Sequence, residues 1–170
     1  ELKQRLNRLE DTLKRELELT AAVAPLLWNT DGINQTFIDN CDYIYIMSFD
    51  AQGNCCVCGG TQHASFDVAQ LSLQKWSSQG IPSNRATCGG NRIGIPFYSK
   101  NTGYLAYNSY SASNPRLFFE DEDGFVNNID GQSKPLIERK VKMVMEDFQG
   151  AGVWTWELTQ DRNDEFSLLS

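Results

Sequence analysis

The sequence predicts an α/β fold in which helices cover a parallel sheet, and three observations lead to it. Four short apolar segments alternate with helical segments along the 170 residues, which is the order that successive βα units produce. The strand segments are apolar on both faces, as in a sheet that is buried between layers. No glycine-rich phosphate loop follows any strand, so a nucleotide-binding fold has little support. The architecture that remains is part of a (β/α)8 barrel, because a complete one takes about 250 residues and eight strands.

Four segments carry the strand pattern. They are residues 17–25 (LELTAAVAP), 43–49 (YIYIMSF), 92–98 (RIGIPFY) and 150–158 (GAGVWTWEL). The first is apolar on nearly every residue and ends at a proline, which cannot donate to a sheet ladder. The second is rich in aromatic and β-branched residues, which is typical of a buried strand.

Helical segments separate these strands. They are predicted at residues 2–16, 33–40, 67–79 and 133–147, and a last helix is predicted to begin at 166–169. The first carries leucines at spacings of four and three, which indicates an amphipathic helix that packs on a sheet. A coiled coil is the alternative, but the pattern covers barely two heptads. Asp31 and Ser133 are predicted N-caps, and Gly80 is a predicted C-cap.

Residues 99–133 interrupt the alternation and are predicted to form a surface excursion with a hairpin around 104–119. The segment is rich in Tyr, Asn, Ser and Gly and contains the acidic run 120–123 (EDED). We expect that run to be a solvated loop face. A calcium loop is a weaker alternative, because the ligand spacing of an EF-hand is absent.

Composition limits the classes of partner. Lys and Arg total 15 and Asp and Glu total 22, which gives a net charge of −7. This acidity disfavours nucleic acid and an anionic membrane surface, and it is compatible with a neutral ligand such as a sugar. No run of about 18 apolar residues is present, so no transmembrane helix is expected. The first 17 residues are charged throughout, unlike a signal peptide.

The cysteines favour disulfides in a secreted or lumenal protein, with one thiol left over. The five are Cys41, Cys55, Cys56, Cys58 and Cys88. Zinc is a weaker alternative because no paired CxxC spacing occurs and His63 is the only histidine, and plain buried thiols are another. Asn34 lies in a glycosylation sequon, Asn-Gln-Thr, which adds weak support for secretion. We expect no metal and no cofactor.

Three segments in the right order resemble the family 18 glycoside hydrolases. Residues 43–50 (YIYIMSFD) are similar to that family's sixth strand, 93–98 (IGIPFY) to its seventh and 152–161 (GVWTWELTQD) to its eighth. LTAAVAP resembles the fifth strand more loosely. The resemblance covers essentially the whole chain. It implies one partial catalytic-type domain over residues 1–170, strands five to eight of the barrel, with 99–133 inserted after the seventh strand.

Two departures from the family pattern bear on activity. The signature Asp-x-x-Asp-x-Glu of the fourth strand is nowhere in these 170 residues. Phe49 stands where the family usually has Tyr, and phenylalanine has no hydroxyl to hold the acetamido group of a substrate. We therefore expect no catalytic residue within this chain.

The resemblance implies substrate-binding roles at the carboxyl ends of the strands, where barrel sites lie. The candidates are Trp156, Met47, Asp50, Tyr98 and Phe49. Trp156 matches the tryptophan beneath the central sugar, whose C–H face stacks on an aromatic ring. The structural alternatives are core packing for the apolar and aromatic residues and a helix cap for Asp50. Glu157 is a weaker candidate because strand alternation turns it to the opposite side. His63 is predicted to be an exposed loop residue rather than a base.

The function predicted from this resemblance is part of a chitinase-like glycosidase that acts on or binds N-acetylglucosamine polymers such as chitin. The chain alone is expected to be inactive, since the family's single protein acid is missing. The alternative is a non-catalytic carbohydrate-binding or structural protein of the same family. We expect a missing N-terminal barrel half, or a second copy, to cover the sheet. Without it, nine strand residues are expected to lie exposed: Leu19, Ala21, Val23, Ile44, Ile46, Ile93, Ile95, Val153 and Thr155.

Overall fold

The computed structural model describes residues 1–25, 33–51, 62–81, 90–100 and 104–170. The strands are β1 (Thr20–Val23), β2 (Tyr43–Ile46), β3 (Gly90–Pro96), β4 (Tyr98–Ser99), β5 (Leu105–Ala106), β6 (Phe125–Val126), β7 (Ile129–Asp130) and β8 (Gly152–Trp156). The helices are α1 (Leu2–Leu13), α2 (Gln35–Asn40), α3 (Phe66–Ser78), α4 (Tyr107–Tyr110), α5 (Pro115–Glu120) and α6 (Lys134–Lys142). A π-helical turn at Met143–Asp147 extends α6, and a 3-10 turn at Leu158–Gln160 follows β8.

The central sheet is parallel throughout, with strand order β1-β2-β3-β8. The four predicted strands and their order are thereby confirmed. β1, β2 and β8 are shorter than their predicted segments, whereas β3 has the predicted length but begins and ends two residues earlier. Helices α3 and α6 connect and cover them, as parallel strands require crossover connections. The carboxyl ends of all four strands meet at one edge of the sheet, which positions the site described below.

The two faces of the sheet have different surroundings. Ile44, Ile46 and Ile93 point toward the helices, where they pack with Leu73 and Trp76 of α3. The expectation that nine strand residues lie exposed was wrong for five of them, because these three isoleucines, Val23 and Ile95 are buried. The other four are partly buried: Leu19, Ala21, Val153 and Thr155. The opposite face carries the alternate residues, because successive side chains of a strand point to opposite sides. That inner face is formed by Ala22, Tyr45, Arg92 and Trp154, and it is left open in this chain.

Helix α1 forms as predicted but does not pack on the sheet. Leu2, Leu9 and Leu13 are each about half exposed, and the helix has no buried residue. The expected packing is absent because α1 precedes β1, which is the edge strand of the sheet. Among the described residues, no further strand lies beside β1 for the helix to cover. An ion pair of 2.5 Å between Lys3 Nζ and Asp42 fixes the helix to the start of β2.

The helix ends differ from the prediction in two places. Asn34 caps α2, and its Oδ1 accepts the N–H of Phe37 at 3.0 Å, while the predicted cap Asp31 lies outside the described residues. Ser133 does occupy the N-cap position of α6, although its side chain makes no capping bond. Residues 166–169 form turns instead of the predicted helix, because the Asp161 carboxylate accepts hydrogen bonds from Ser167 Oγ and the N–H of Leu168.

The inserted segment, predicted as a surface excursion with one hairpin, packs against the rest of the domain. The predicted single hairpin is replaced by two short ones, β4–β5 and β6–β7, with α4 and α5 between them. Tyr107, Tyr110 and Phe118 pack with Phe97 of the strand end and Ile137 of α6 in one apolar cluster. The segment thereby acquires a core that it shares with the rest of the domain.

The acidic run stays at the surface, as expected. Glu122 and Asp123 are exposed, and Asp121 uses its carboxylate to accept the N–H groups of Asp123 and Phe125. Within the described ranges, no helix has both the length and the apolar content that a membrane span needs.

Candidate functional site

A pocket of about 560 Å³ opens at the carboxyl ends of the parallel strands. Its walls are Ala22, Met47, Phe49, Asp50, Tyr98, Tyr104, Trp154, Trp156 and Gln160. The five residues proposed from the sequence as substrate-binding are all in this set. Most of the wall is aromatic, with a few polar groups at its rim, which is the usual make-up of a small-molecule site.

The aromatic wall is built around Phe49. Its ring meets Trp154 edge-on at 5.8 Å and Tyr98 at 6.2 Å between ring centroids. Gly94 of β3 makes this packing feasible, since a Cβ there would lie 2.7 Å from the Trp154 ring and 2.9 Å from the Phe49 ring. Trp156, by contrast, is 52% exposed at the end of β8. Its ring is therefore available to a ligand and is not a core tryptophan.

Asp50 supplies the charge of the pocket. The residue follows β2 with φ of 62°, and its Oδ1 accepts a hydrogen bond of 2.8 Å from the Tyr98 hydroxyl. Lys100 Nζ and His63 Nδ1 each lie 3.6 Å from the same oxygen. Contact with His63, the Tyr98 hydrogen bond and the Lys100 charge together hold the pKa of Asp50 below its usual value, although partial burial opposes them. Asp50 is therefore an anion at neutral pH.

The pKa of Tyr98 is shifted in the opposite direction from that of Asp50. Burial, and then its hydrogen bond to the Asp50 carboxylate, raise the pKa of the Tyr98 hydroxyl above its ordinary value. The hydroxyl therefore keeps its proton and donates a hydrogen bond to Asp50. Tyr98 is thus buried beside the pocket and orients the carboxylate with one hydrogen bond.

His63 is fully buried, so the prediction of an exposed loop residue was wrong. Its ring stacks on Tyr98 with 5.2 Å between centroids, and its Nδ1 accepts the backbone N–H of Asp50 at 3.3 Å. The backbone N–H of His63 donates to the carboxylate of Asp130, which belongs to the inserted segment. No pattern near His63 in the sequence indicates its burial or this hydrogen bond, because Asp130 lies 67 residues away.

A buried polar cluster lies behind His63. Lys140 of α6 is fully buried, and its ammonium donates to Gln132 Oε1 at 2.8 Å and to the carbonyl of Ala64. Burial lowers the pKa of Lys140 to about 7, and burial likewise raises the pKa of Asp130. The cluster joins α6, the inserted segment and the chain that carries His63.

Glu157 lies outside the pocket. Its side chain is exposed, and Oε1 accepts a hydrogen bond of 3.0 Å from the Thr159 hydroxyl.

The predicted cysteine chemistry falls mostly outside the described residues, whereas the glycosylation sequon lies within them. Cys55, Cys56, Cys58 and Cys88 lie there, so the expected disulfide is untested by the structure, while Cys41 is a buried free thiol. Asn34, the sequon residue, is described and exposed.

Sequence reasoning missed five residues at or beside the pocket, namely Ala22, Tyr104, Trp154, Gln160 and His63. Trp154 had a usable signal, because it lies two positions before Trp156 in the same strand and so shares its face. Tyr104 and Gln160 come from turns, and His63 from a connection. Their placement depends on chain segments that periodicity does not describe.

No family model and no curated protein matches this chain. Solved structures do match it. The family 18 chitinase ChiB from the chitin utilization locus of Flavobacterium johnsoniae is 27% identical with a TM-score of 0.74, over 98% of this chain and 52% of that chain. The cell-surface-expressed multi-modular chitinase ChiW of Paenibacillus sp. FPU-7 is 18% identical with a TM-score of 0.73, over 94% of this chain and 22% of that one.

A family 18 N-acetylglucosaminidase from Paenibacillus barengoltzii gives 19% identity and a TM-score of 0.70, over 94% of this chain and 57% of that one. The chain therefore spans between about a fifth and three fifths of the structures it matches. The second and third similarities establish the fold alone. Together with ChiB they confirm the resemblance to family 18 glycoside hydrolases and its partial extent.

Proposed function

We propose that this chain is the C-terminal half, strands five to eight, of a chitinase-like (β/α)8 domain that binds N-acetylglucosamine polymers. The domain spans residues 1–170, with 99–133 inserted after the seventh strand. One observation carries the proposal: the exposed Trp156 ring and the Asp50 carboxylate share one pocket at the carboxyl ends of the strands. An apolar floor beside an oriented hydrogen-bond acceptor suits an acetamido sugar, which has an apolar ring face and an amide N–H.

Each wall residue has a distinct part in this binding. The Trp156 ring stacks on the sugar face, and Met47 and Phe49 contact its apolar edges. Asp50 accepts the amide N–H, held in place by Tyr98. Phe49 cannot donate a hydrogen bond to the acetamido carbonyl, so that contact depends on another group.

Among the described residues, the pocket contains no group suited to act as a general acid. A general acid must keep its proton near neutral pH, which requires a raised pKa. The pKa of Asp50 is lowered instead, and Glu157 lies outside the pocket. Hydrolysis therefore requires an acid from the complementary half of the barrel, and the 170-residue chain alone is inactive.

The second candidate function is a non-catalytic carbohydrate-binding protein of the same kind. Phe49 favours this candidate, because phenylalanine lacks the hydroxyl of the tyrosine that the family usually has at this position. Both candidates act outside the cell or in a lumenal compartment, in line with the neighbour ChiW, which is described as expressed at the cell surface.

The test is a turnover assay and a calorimetric titration of the 170-residue chain with chito-oligosaccharides. We expect no cleavage, and we expect Trp156→Ala to weaken binding by about 1–3 kcal/mol through loss of stacking. Leu117→Ala is the matched control, since Leu117 is also exposed but lies on α5 outside the pocket. Equal affinity of folded Trp156→Ala and wild type would remove the proposed site, and steady cleavage lost in Asp50→Asn would refute the assignment of the acid.

A further inference from the structure

His63 connects the charged group of the pocket to the inserted segment through its backbone as well as its ring. Its Nδ1 accepts the backbone N–H of Asp50 at 3.3 Å, and its carbonyl accepts the N–H of Ala51 at 3.1 Å. On the other side, the N–H of His63 donates to the carboxylate of Asp130, on strand β7. One fully buried residue therefore makes hydrogen bonds to both the pocket and the insertion.

The ring of His63 has few directional contacts of its own. Its Nε2 is buried and makes no hydrogen bond with any residue that the structure describes. Stacking on Tyr98, at 5.2 Å between centroids, fixes the plane of the ring but not its position within that plane, because dispersion contacts have little directionality. A hydrogen bond is directional. The bond from His63 to Asp130 is therefore well suited to fix where the ring lies.

Asp130 is itself part of a rigid, buried arrangement. The residue is 1% exposed and lies on β7, which pairs with β6. Two residues further along, Gln132 Nε2 donates to the carbonyl of Ala64 at 3.3 Å, and Lys140 Nζ donates to the same carbonyl. Because Ala64 follows His63, both residues of this short segment are anchored from the side opposite the pocket.

We propose that Asp130 is a positioning residue for the candidate site, which holds His63 in place and thereby keeps Asp50 as an ordered acceptor. Asp130 lies outside the wall of the pocket and acts through His63 without touching a ligand. The inserted segment thereby sets the affinity of a site to which Asp130 contributes no surface. The effect on affinity rests on the proposed function, whereas the effect on the Asp50 carboxyl group does not.

The titration of Asp50 separates positioning from a direct effect of charge. Loss of a nearby anion lowers the pKa of a carboxyl group, because a like charge is removed. Asp130→Ala should instead raise the pKa of Asp50, because contact with His63 is the largest cause of its lowered value. Asp130→Asn should leave that pKa close to the wild-type value, since its amide oxygen still accepts the N–H of His63. Lys100 and Lys140 face Asp130 and are the same in every variant.

Carbon-13 NMR of the Asp50 carboxyl group measures these changes, and a double variant shows the route of the effect. Asp130→Ala should cause no further rise in a His63→Gln background, because the residue through which it acts is already lost. Asp123→Ala, which removes an exposed carboxylate of the same insertion, is the matched control and should leave the titration unchanged. Asp130→Leu, close in shape and without an acceptor, replaces Asp130→Ala if the latter does not fold.

Calorimetric titration with chitotriose measures the consequence for binding. Asp130→Ala should weaken affinity about threefold to tenfold, the effect of one ordinary hydrogen bond, and Asp130→Asn should restore it. A lowered or unchanged pKa of Asp50 in folded Asp130→Ala, an equal rise in the His63→Gln background, or unchanged affinity overturns the inference. Wild type that binds no sugar refutes the proposed function instead, and the titration of Asp50 then decides the role of Asp130.

Discussion

The properties of single residues in the pocket follow from neighbours that are distant in sequence. Asp50 has an ordinary carboxyl side chain, yet a buried imidazole, a phenol hydroxyl and an ammonium group surround it. These contacts favour the charged form and make Asp50 a fixed hydrogen-bond acceptor rather than a proton donor. Under the proposed function, Asp50 would therefore bind the substrate and not protonate it.

Replacing His63 should change the titration of Asp50. Contact with His63 is the largest cause of the lowered pKa of Asp50, so His63→Gln should raise that pKa toward the ordinary value of 3.8. Carbon-13 NMR of the Asp50 carboxyl group measures it, and Tyr98→Phe, which removes the second contact, gives a reference shift in the same direction. An unchanged titration in folded His63→Gln would show that His63 only fills space.

The lowered pKa of Asp50 also determines how the stability of the protein changes with pH. Because the folded pKa of Asp50 lies below the unfolded one, its carboxylate stabilises the fold at pH values above about 4. That contribution is lost as the pH falls through the lowered folded pKa. His63→Gln should therefore lose stability at neutral pH and show a smaller loss on acidification than wild type.

At the level of elements, α6 and the inserted segment are tied to the pocket by a buried lysine. Lys140 of α6 donates hydrogen bonds to Gln132 Oε1 and to the carbonyl of Ala64, the residue after His63. Its burial is tolerated because hydrogen-bond acceptors surround it. The π-helical turn after α6 and the apolar cluster of the insertion complete this unit. The insertion thereby supports the position of His63, and through it Asp50.

Lys140 should make the stability of the protein depend on alkaline pH. Its folded pKa is about 7 against an ordinary value of 10.5, so between these values the unfolded chain binds a proton that the folded chain has released. Stability should therefore rise with pH across that window. Lys140→Met should flatten this rise, as measured by urea unfolding near neutral pH and at about pH 9.

The control is Lys142→Met, which removes an exposed lysine of the same helix. It should retain the wild-type dependence on pH. An equal pH dependence in Lys140→Met and wild type would mean that Lys140 does not titrate in this range. Lys140→Met should also be less stable overall, because Gln132 and the Ala64 carbonyl lose a donor.

At the level of the whole molecule, the four-stranded sheet has one covered face and one open face. The open face carries Tyr45, Arg92 and Trp154, and α1 beside edge strand β1 leaves three leucines half exposed. A parallel sheet is normally buried on both faces. The chain spans only 52%, 22% and 57% of the three family 18 structures reported above.

The redox state of the cysteines is a prediction for the native molecule as a whole. We expect at least one disulfide among Cys55, Cys56, Cys58 and Cys88, with Cys41 as the remaining free thiol, because Cys41 is buried and free in the structure. Burial raises the pKa of its thiol, so native alkylation of Cys41 should be slow. Non-reducing peptide mapping measures both, and five free thiols would contradict a secreted protein.

The sequence by itself determined the strands, their parallel order and the side chains that lie at their carboxyl ends. Periodicity and turn residues are local properties, and strand ends place Met47, Asp50 and Trp156 at one edge of a sheet whatever surrounds it. The tertiary structure decided which strand face is covered, because helix packing selected Ile44 and Ile93 and left the alternate residues open. It also decided the burial of His63 and its contact with Asp50. Those depend on contacts between segments that are far apart in the chain, and no local pattern encodes them.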